Sequence, residues 1–228
     1  MYAKTYCETV LSKIKTKWQK NYLNIEKKIA FLSNLPNLCS TKNYFIYFKI
    51  KTMNTQLEKQ FLQLEEDRKN LFNELKNYSD EVINKKPAPE KWSVAEVIAH
   101  LITAEEMSLK YLSKKIQDTS KESDEGLKNK YRWLLVQIVF TFNIKFKAPE
   151  IVEPKMGYQS LGALETKWSD VRNQTLQTLQ KLSDEEVNKT LWKHALAGKM
   201  NLHHMVQFFG VHYNRHKKQI ERTIVAVK

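Results

Sequence analysis

Two histidines four residues apart, His212 and His216, are the residues whose type and spacing best suit metal chemistry in this chain. Residues i and i+4 of an α-helix hold their Cβ atoms about 5–6 Å apart, so both imidazoles can direct a ring nitrogen at one ion about 2.0–2.1 Å away. In the stretch 201–227, apolar or neutral side chains recur at three- and four-residue steps, as on one face of a helix. These positions are Leu202, Met205, Phe209, His212, His216, Ile220 and Ile224. The pattern predicts one long helix with both histidines on its buried side.

A pair of histidines at this spacing is by itself a weak indication of a metal, because six histidines can fall into it by chance. Its position on a core-facing stripe strengthens the indication, since a buried ring nitrogen without a partner costs free energy. Two interpretations stay open at this point. One is metal ligation, and the other is a pair of ordinary hydrogen-bonded core histidines. Metal ligation requires a third ligand from elsewhere in the chain.

The best placed third ligand is His100, on another predicted helix. Ser93 followed by Val-Ala-Glu96 is a capping box, in which the serine hydroxyl accepts from the N3 amide and the glutamate accepts from the N-cap amide. The helix that starts there extends to about Gln117, and His100 lies near its start, at the edge of the apolar face. No other histidine occurs between Met53 and His194.

Three further helices are predicted from the apolar periodicity, over residues 54–77, 131–146 and 160–182. The segment 131–146 is apolar nearly all round and too short to span a bilayer, so we expect it to pack under the other helices. An amphipathic membrane anchor is its minor alternative. Residues 191–201 are expected to form a loop that ends at Asn201, a candidate N-cap. The predicted fold class is all-α.

Charge and cysteine content restrict the compartment and the partners. Of the net charge of +13, +8 lies in residues 1–52, where ten lysines face Glu8 and Glu26, so the remainder is only mildly basic. Cys7 and Cys39 are the only cysteines, which indicates a reducing compartment without a disulfide framework. No apolar run approaches 18 residues, and no secretory signal is evident. We therefore expect a cytoplasmic protein with no membrane partner.

Residues 1–52 form a basic N-terminal extension that the pattern does not connect to residues 53–228. One interpretation is that translation starts at Met53 and the extension is not part of the native protein. The alternative is a basic arm that docks on RNA, DNA or a membrane. Nucleic acid is not the expected partner of the main domain.

Four short fragments, in this order, carry a family resemblance: KWSVAEVIAHL at 91–101, KFKAPEIVEP at 145–154, HALAGKMNL at 194–202 and HYNRHKKQI at 212–220. Together they resemble the DinB-like superfamily of metal-binding four-helix bundles, over essentially residues 53–228. The resemblance implies a four-helix bundle with an extra connecting helix. It also implies a metal site built from His100, His212 and His216, the residues that the stripe and the spacing had already indicated.

The other three histidines and Glu105 are not predicted to be metal ligands. His194 stands in a loop where relatives more often have His-Pro, and it is interpreted as structural. His203 is predicted to be a solvated surface residue, and His204, about 12 Å along the helix from His212, is too far to share an ion. Glu105 has two open interpretations. One is a supporting or proton-transfer role at the metal site. The other is an exposed helix carboxylate without a role in the site.

Three imidazoles leave at least one coordination position open, as in catalytic sites. Zinc is the first expectation for the ion and nickel the second. An activated water could attack an ester, amide or lactone, which gives a hydrolase. Alternatively, a low-molecular-weight thiol could attack an electrophile, which gives the thiol S-transferase activity that the resemblance implies.

In both cases the partner is a small-molecule substrate, and no residue stands out as a general base. A homodimer is an open alternative for the assembly. The rival to an enzyme is a non-catalytic bundle in which the ion or the histidines only stabilise the fold. Nucleic-acid binding through the basic arm is the further alternative.

Overall fold

Four long helices of 19 to 26 residues, a fifth of 16 residues and several short elements make up the part of the chain that the structure describes. The computed structural model describes residues 53–124, 126–141, 157 and 159–228. In chain order the elements are α1 Thr55–Leu75, α2 Asp80–Asn84, α3 Val94–Lys115, α4 Gly126–Thr141, α5 Leu161–Leu179, α6 Asp184–Asn188, β1 Trp192–His194, β2 Gly198–Met200 and α7 Leu202–Val227. The expected extension 1–52 lies outside these residues. The all-α prediction is confirmed.

Side-chain caps set where the helices begin. The capping box predicted at Ser93 is present, because the Glu96 amide donates to the Ser93 hydroxyl at 3.2 Å and the Ser93 amide donates to the Glu96 carboxylate at 2.8 Å. Asn201, the predicted N-cap of α7, accepts from the His204 amide at 3.1 Å. These bonds satisfy amides that have no partner within the helix. The caps therefore fix the starting points of the two helices that carry the predicted metal ligands.

The four long helices form a closed bundle in which α3 contacts α5 and α7, and α1 contacts α7 and α5. Two clusters of buried apolar side chains fill it. One contains Trp168 and Phe72, whose rings meet edge to face at 6.1 Å. The other contains Phe61, Phe209 and the hairpin residue Trp192. The apolar stripes predicted from the sequence are the faces that meet in these clusters.

Helix α4 lies on the outside of the bundle. The prediction that the segment 131–146 packs under the other helices is wrong for residues 131–141, and residues 142–146 lie outside the described part of the chain. Only its inner face, with Val136, contacts the second cluster. Its outer face exposes Leu127, Tyr131, Leu134, Leu135 and Ile138. A helix that is apolar all round does not reveal which of its faces a neighbour covers. No helix among the described residues is long and apolar enough to cross a bilayer.

The segment that was expected to be a loop before α7 is a small antiparallel hairpin. Trp192 pairs with Met200, and His194 pairs with Gly198. Gly198 has a φ of +83°, a left-handed conformation that glycine adopts without strain. Each strand has three residues, and three more, 195–197, connect them. The periodicity of two such short strands is too brief to be recognised in sequence.

A buried ion pair crosses the bundle core between α3 and α5. Glu105 is 2% exposed and accepts hydrogen bonds from the Arg172 side chain, one of them 2.6 Å from Nη2, and from Trp168 Nε1 at 3.1 Å. The Arg172 guanidinium also lies 3.5 Å from the Glu65 carboxylate on α1. Glu105 is therefore not an exposed carboxylate, and its oxygens serve a structural contact with α5.

We expect Glu105→Ala to destabilise the protein by about 3–5 kcal/mol, because it leaves the Arg172 guanidinium buried without its main partner. The neighbouring Glu106 is exposed and lies 3.9 Å from Lys167, so Glu106→Ala is the matched control. That control should change the free energy of unfolding by less than about 0.5 kcal/mol. Urea unfolding of the two variants measures the difference. Equal effects would show that the buried pair does not hold α3 against α5.

Candidate metal centre

His100 reaches the bundle interior in the second turn of α3. The capped start of this helix directs the His100 side chain toward α7, and the residue is 4% exposed. Trp92, just before the cap, packs its ring on the His100 imidazole with 5.0 Å between ring centroids. The contact with the Trp92 ring therefore holds the His100 side chain in position.

The three histidines predicted from the sequence come together at one point. Nε2 of His100 lies 3.1 Å from Nε2 of His212. The ring centroid of His216 is 4.8 Å from that of His100 and 4.6 Å from that of His212. One nitrogen from each ring falls within 4.8 Å of the other two, which makes this the candidate metal group of the described residues. Two nitrogens bound to a tetrahedral ion lie about 3.3 Å apart, so the spacing suits an ion.

Aromatic side chains form the walls of the centre. Phe208, one turn before His212 on α7, stacks on the His212 ring at 5.1 Å with 15° between the planes. Phe140 of α4 meets the same ring edge-on at 6.1 Å. His212 is 8% exposed, whereas His216 is only partly buried. Aromatic rings therefore enclose His212 on the α4 side of the centre.

Gln219 sets the orientation of His216. Nδ1 of His216 lies 2.9 Å from Oε1 of Gln219, one turn further along α7. An amide oxygen only accepts hydrogen bonds, so Nδ1 carries the proton and donates it. Nε2 of His216 then presents its lone pair. A hydrogen bond at the far nitrogen of this kind is the usual support of a metal-binding histidine.

The environment keeps the imidazoles of His212 and His216 neutral. Burial lowers the pKa of His212 well below its usual range, and the neighbouring His216 and His100 lower it further. Burial, followed by the charge of His100, lowers the pKa of His216 to about 3, although the bond to Gln219 acts in the opposite direction. A histidine must be deprotonated to bind a metal. Both residues are therefore in the ligating form at neutral pH.

His194 stabilises the hairpin, in agreement with its structural interpretation. Its Nδ1 accepts hydrogen bonds from the amides of Leu196 and Ala197, at 3.2 and 3.1 Å. The ring is 7% exposed and lies 4.7 Å from the ring of Phe208. His194 therefore holds the turn between the two strands of the hairpin.

The two histidines at the start of α7 lie outside the group of three. His203 is half-buried, and burial lowers its pKa, so the prediction of a solvated surface residue is wrong. The reason is that α6 packs beside this end of α7 and its Asp184 acts on the His203 ring. His204 stacks on Trp133 of α4 at 5.4 Å. As predicted from its distance along the helix, it does not join the candidate site.

Several side chains that contact the three histidines were not identified from the sequence. Gln219 could have been found, because it follows His216 by three residues on the same helix. Phe208 also lies one turn from His212 and was within reach of the same reasoning. Phe140 and Trp92 carried no such signal, since their contacts depend on how separate helices pack.

A helical bundle with a buried three-histidine centre shared by two helices is the class of protein that this fold and site define. Residues 63–220, more than half of the chain, match the DinB superfamily, and the chain belongs to that superfamily. It is also 29% identical over 157 residues to the uncharacterized protein YuaE of Bacillus subtilis (strain 168). That match covers 68% of this chain and 91% of YuaE. The resemblance inferred from the four fragments is thereby confirmed.

The metal-free protein should lose stability as the pH falls. Burial lowers the pKa of His194 from 6.5 to about 4, so the unfolded chain takes up this proton before the folded chain does. The stabilisation is present above pH 6.5 and is lost as the pH falls toward 4. Each such histidine contributes a slope of up to about 1.4 kcal/mol per pH unit. Urea unfolding at about pH 7, 6 and 5, with a chelator present, measures how the free energy of unfolding changes with pH.

The variant His194→Gln should unfold with a smaller dependence on pH than the wild type, whatever its stability at neutral pH. An unchanged slope would mean that His194 is protonated as readily in the folded chain as in the unfolded chain.

Proposed function

We propose that this protein binds one divalent transition ion through His100, His212 and His216 and acts as a metal-dependent enzyme on a small-molecule substrate. The observation that carries the proposal is the convergence of three imidazoles from two helices, two of whose Nε2 atoms lie 3.1 Å apart. Membership of the DinB superfamily supports it.

The donor set fits a catalytic ion better than a structural one. Structural zinc sites fill all four positions with protein ligands, whereas catalytic sites use three and leave one open. Three neutral imidazoles suit zinc, nickel, iron or copper, and we retain zinc as the first candidate and nickel as the second.

The reaction we propose is either hydrolysis or the transfer of a low-molecular-weight thiol to an electrophile. A bound ion would supply Lewis acidity at its open position, lowering the pKa of a water or thiol there toward neutrality. His100, His212 and His216 would hold the ion, and Gln219 would orient His216. The rings of Phe208 and Phe140 would exclude water from the α4 side. Such an exclusion of water would favour either reaction.

Untagged protein should purify with about one transition ion per chain, and His212→Ala should carry almost none, because the variant retains only two of the three ligands. Elemental analysis of the full chain measures this. His203→Ala is the matched control, since it removes a histidine of the same helix that lies outside the group of three. It should keep the ion. Wild-type protein that takes up no ion, even when metal is added back, would contradict the proposed function.

Gln219→Ala should weaken metal binding about 10- to 100-fold without abolishing it, because the loss of the hydrogen bond frees the His216 ring to rotate. Competition with a chromogenic chelator gives the affinity. Lys218→Ala, which changes the exposed residue beside Gln219, should bind as the wild type does. An affinity of Gln219→Ala equal to that of the wild type would show that the bond does not support a ligand.

The two reaction classes are separated by a screen of the metal-loaded chain. One arm offers activated esters and lactones without a thiol, and the other offers an electrophile with several cellular thiols. Activity that is lost in His212→Ala and present only with a thiol identifies a transferase. Activity without a thiol identifies a hydrolase. A loaded protein inactive in both arms would favour the non-catalytic bundle.

A further inference from the structure

The outer face of α4 concentrates the exposed apolar side chains of the described part of the chain. Eight large apolar side chains are exposed there, and five of them belong to α4: Leu127, Tyr131, Leu134, Leu135 and Ile138. The remaining three lie singly on α1, on the turn of the hairpin and on α7. Single exposed apolar residues are ordinary, whereas a contiguous row of them indicates an interaction surface. The outer face of α4 is therefore the candidate surface for a partner.

The centre of this face has the spacing of a helix that packs against another helix. Its four side chains follow one another at steps of four, three and four residues: Leu127, Tyr131, Leu134 and Ile138. These steps are those of the two apolar positions of a coiled-coil heptad, a seam narrower than the broad stripe that packs on a protein core. The buried residues Asn129 and Val136 lie on the opposite side of α4 and pack on the bundle. The seam therefore fits a second helix.

The seam is complementary to itself. Because its steps of four, three and four residues are the same in both directions, a second copy of α4 matches it in antiparallel orientation. A two-fold axis at the centre of the seam would place Leu127 opposite Ile138 of the second copy. The same axis would place Tyr131 opposite Leu134 of the second copy. This reciprocal contact is the form that an interface between two identical chains takes.

The charges of α4 favour the antiparallel orientation over the parallel one. Residues 126–141 contain no acid, and their three cations, Lys128, Lys130 and Arg132, all lie in the first half of the helix. Arg132 donates to the carbonyl of Lys199 at 2.6 Å, so it is engaged with the hairpin. A parallel pair would gather the lysines of both copies at one end, where they repel. An antiparallel pair places Lys130 on the same side of the seam as Gln137 of the second copy.

We propose that two copies of this chain associate through their α4 helices, in antiparallel orientation, about a two-fold axis between residues 132 and 133. The 16 residues of α4 extend over about 24 Å. One helix of this length does not bury the roughly 800 Å² per partner of a standard stable interface. The dimer is therefore weak, with a dissociation constant between about 10 μM and 1 mM.

Sedimentation equilibrium of the full chain, from about 5 μM to 1 mM, tests the association. The average mass should rise reversibly with concentration from 27.0 kDa toward twice that value. Leu134→Glu should stay monomeric, because it places a carboxylate in the apolar seam of each copy. Leu134 is 52% exposed, so the variant should fold as the wild type does. The matched control is Leu62→Glu on α1, at a position 58% exposed, which should dimerise like the wild type.

The orientation is tested by Gln137→Glu, which should tighten the dimer about two- to tenfold, because each new carboxylate meets Lys130 of the other copy. Salt at about 0.5 M should remove most of this gain, since the pair is exposed. The control is the double variant Gln137→Glu with Lys130→Gln, which should show no gain.

Three results would overturn the proposal. They are a wild type that remains at 27.0 kDa up to about 1 mM, a dimer that persists unchanged in Leu134→Glu, and a Gln137→Glu variant that dimerises no more tightly than the wild type. A membrane is the competing occupant of this face. A monomeric chain that sediments with vesicles of phosphatidylcholine and phosphatidylglycerol, and loses this binding in Leu134→Glu, would assign the face to a lipid surface instead.

Discussion

Two imidazole nitrogens from helices more than a hundred residues apart in sequence face each other at 3.1 Å in a space that is largely closed to water. One of the two must carry a proton in the metal-free chain, since two lone pairs at this distance repel each other. A cation between them would satisfy both nitrogens and that of His216 as well. The arrangement of the three rings therefore depends on whether each buried ring nitrogen has a partner, since a buried nitrogen without one costs free energy.

The buried ion pair of Glu105 lies on a different side of α3 from the three histidines. Glu105 lies five residues after His100 on the same helix, so its side chain points to a different side, toward Arg172 and Trp168 of α5. One helix thus contributes an imidazole to one contact and a carboxylate to another. The carboxylate is engaged by a guanidinium and an indole of α5, and the imidazole faces His212 of α7.

The tertiary arrangement also explains why some sequence predictions were wrong. The burial of α4 and that of Glu105 were ambiguous in the sequence for the same reason. Apolar periodicity describes one helix and not the neighbour that covers it. Packing leaves one face of α4 exposed and covers Glu105 completely. His203 is half-buried because α6 packs beside its helix, a contact that the spacing of α7 could not indicate.

The amino-acid sequence by itself determined the helices, their caps and the identity of the three histidines. Those features follow from interactions within a few residues along the chain, such as the Ser93 capping box and the four-residue step from His212 to His216. Only the tertiary structure decided the distance from His100 to His212 and the contacts of Phe140 and Trp92 with these two rings. Those features depend on how separate helices pack, and no local pattern encodes that relation.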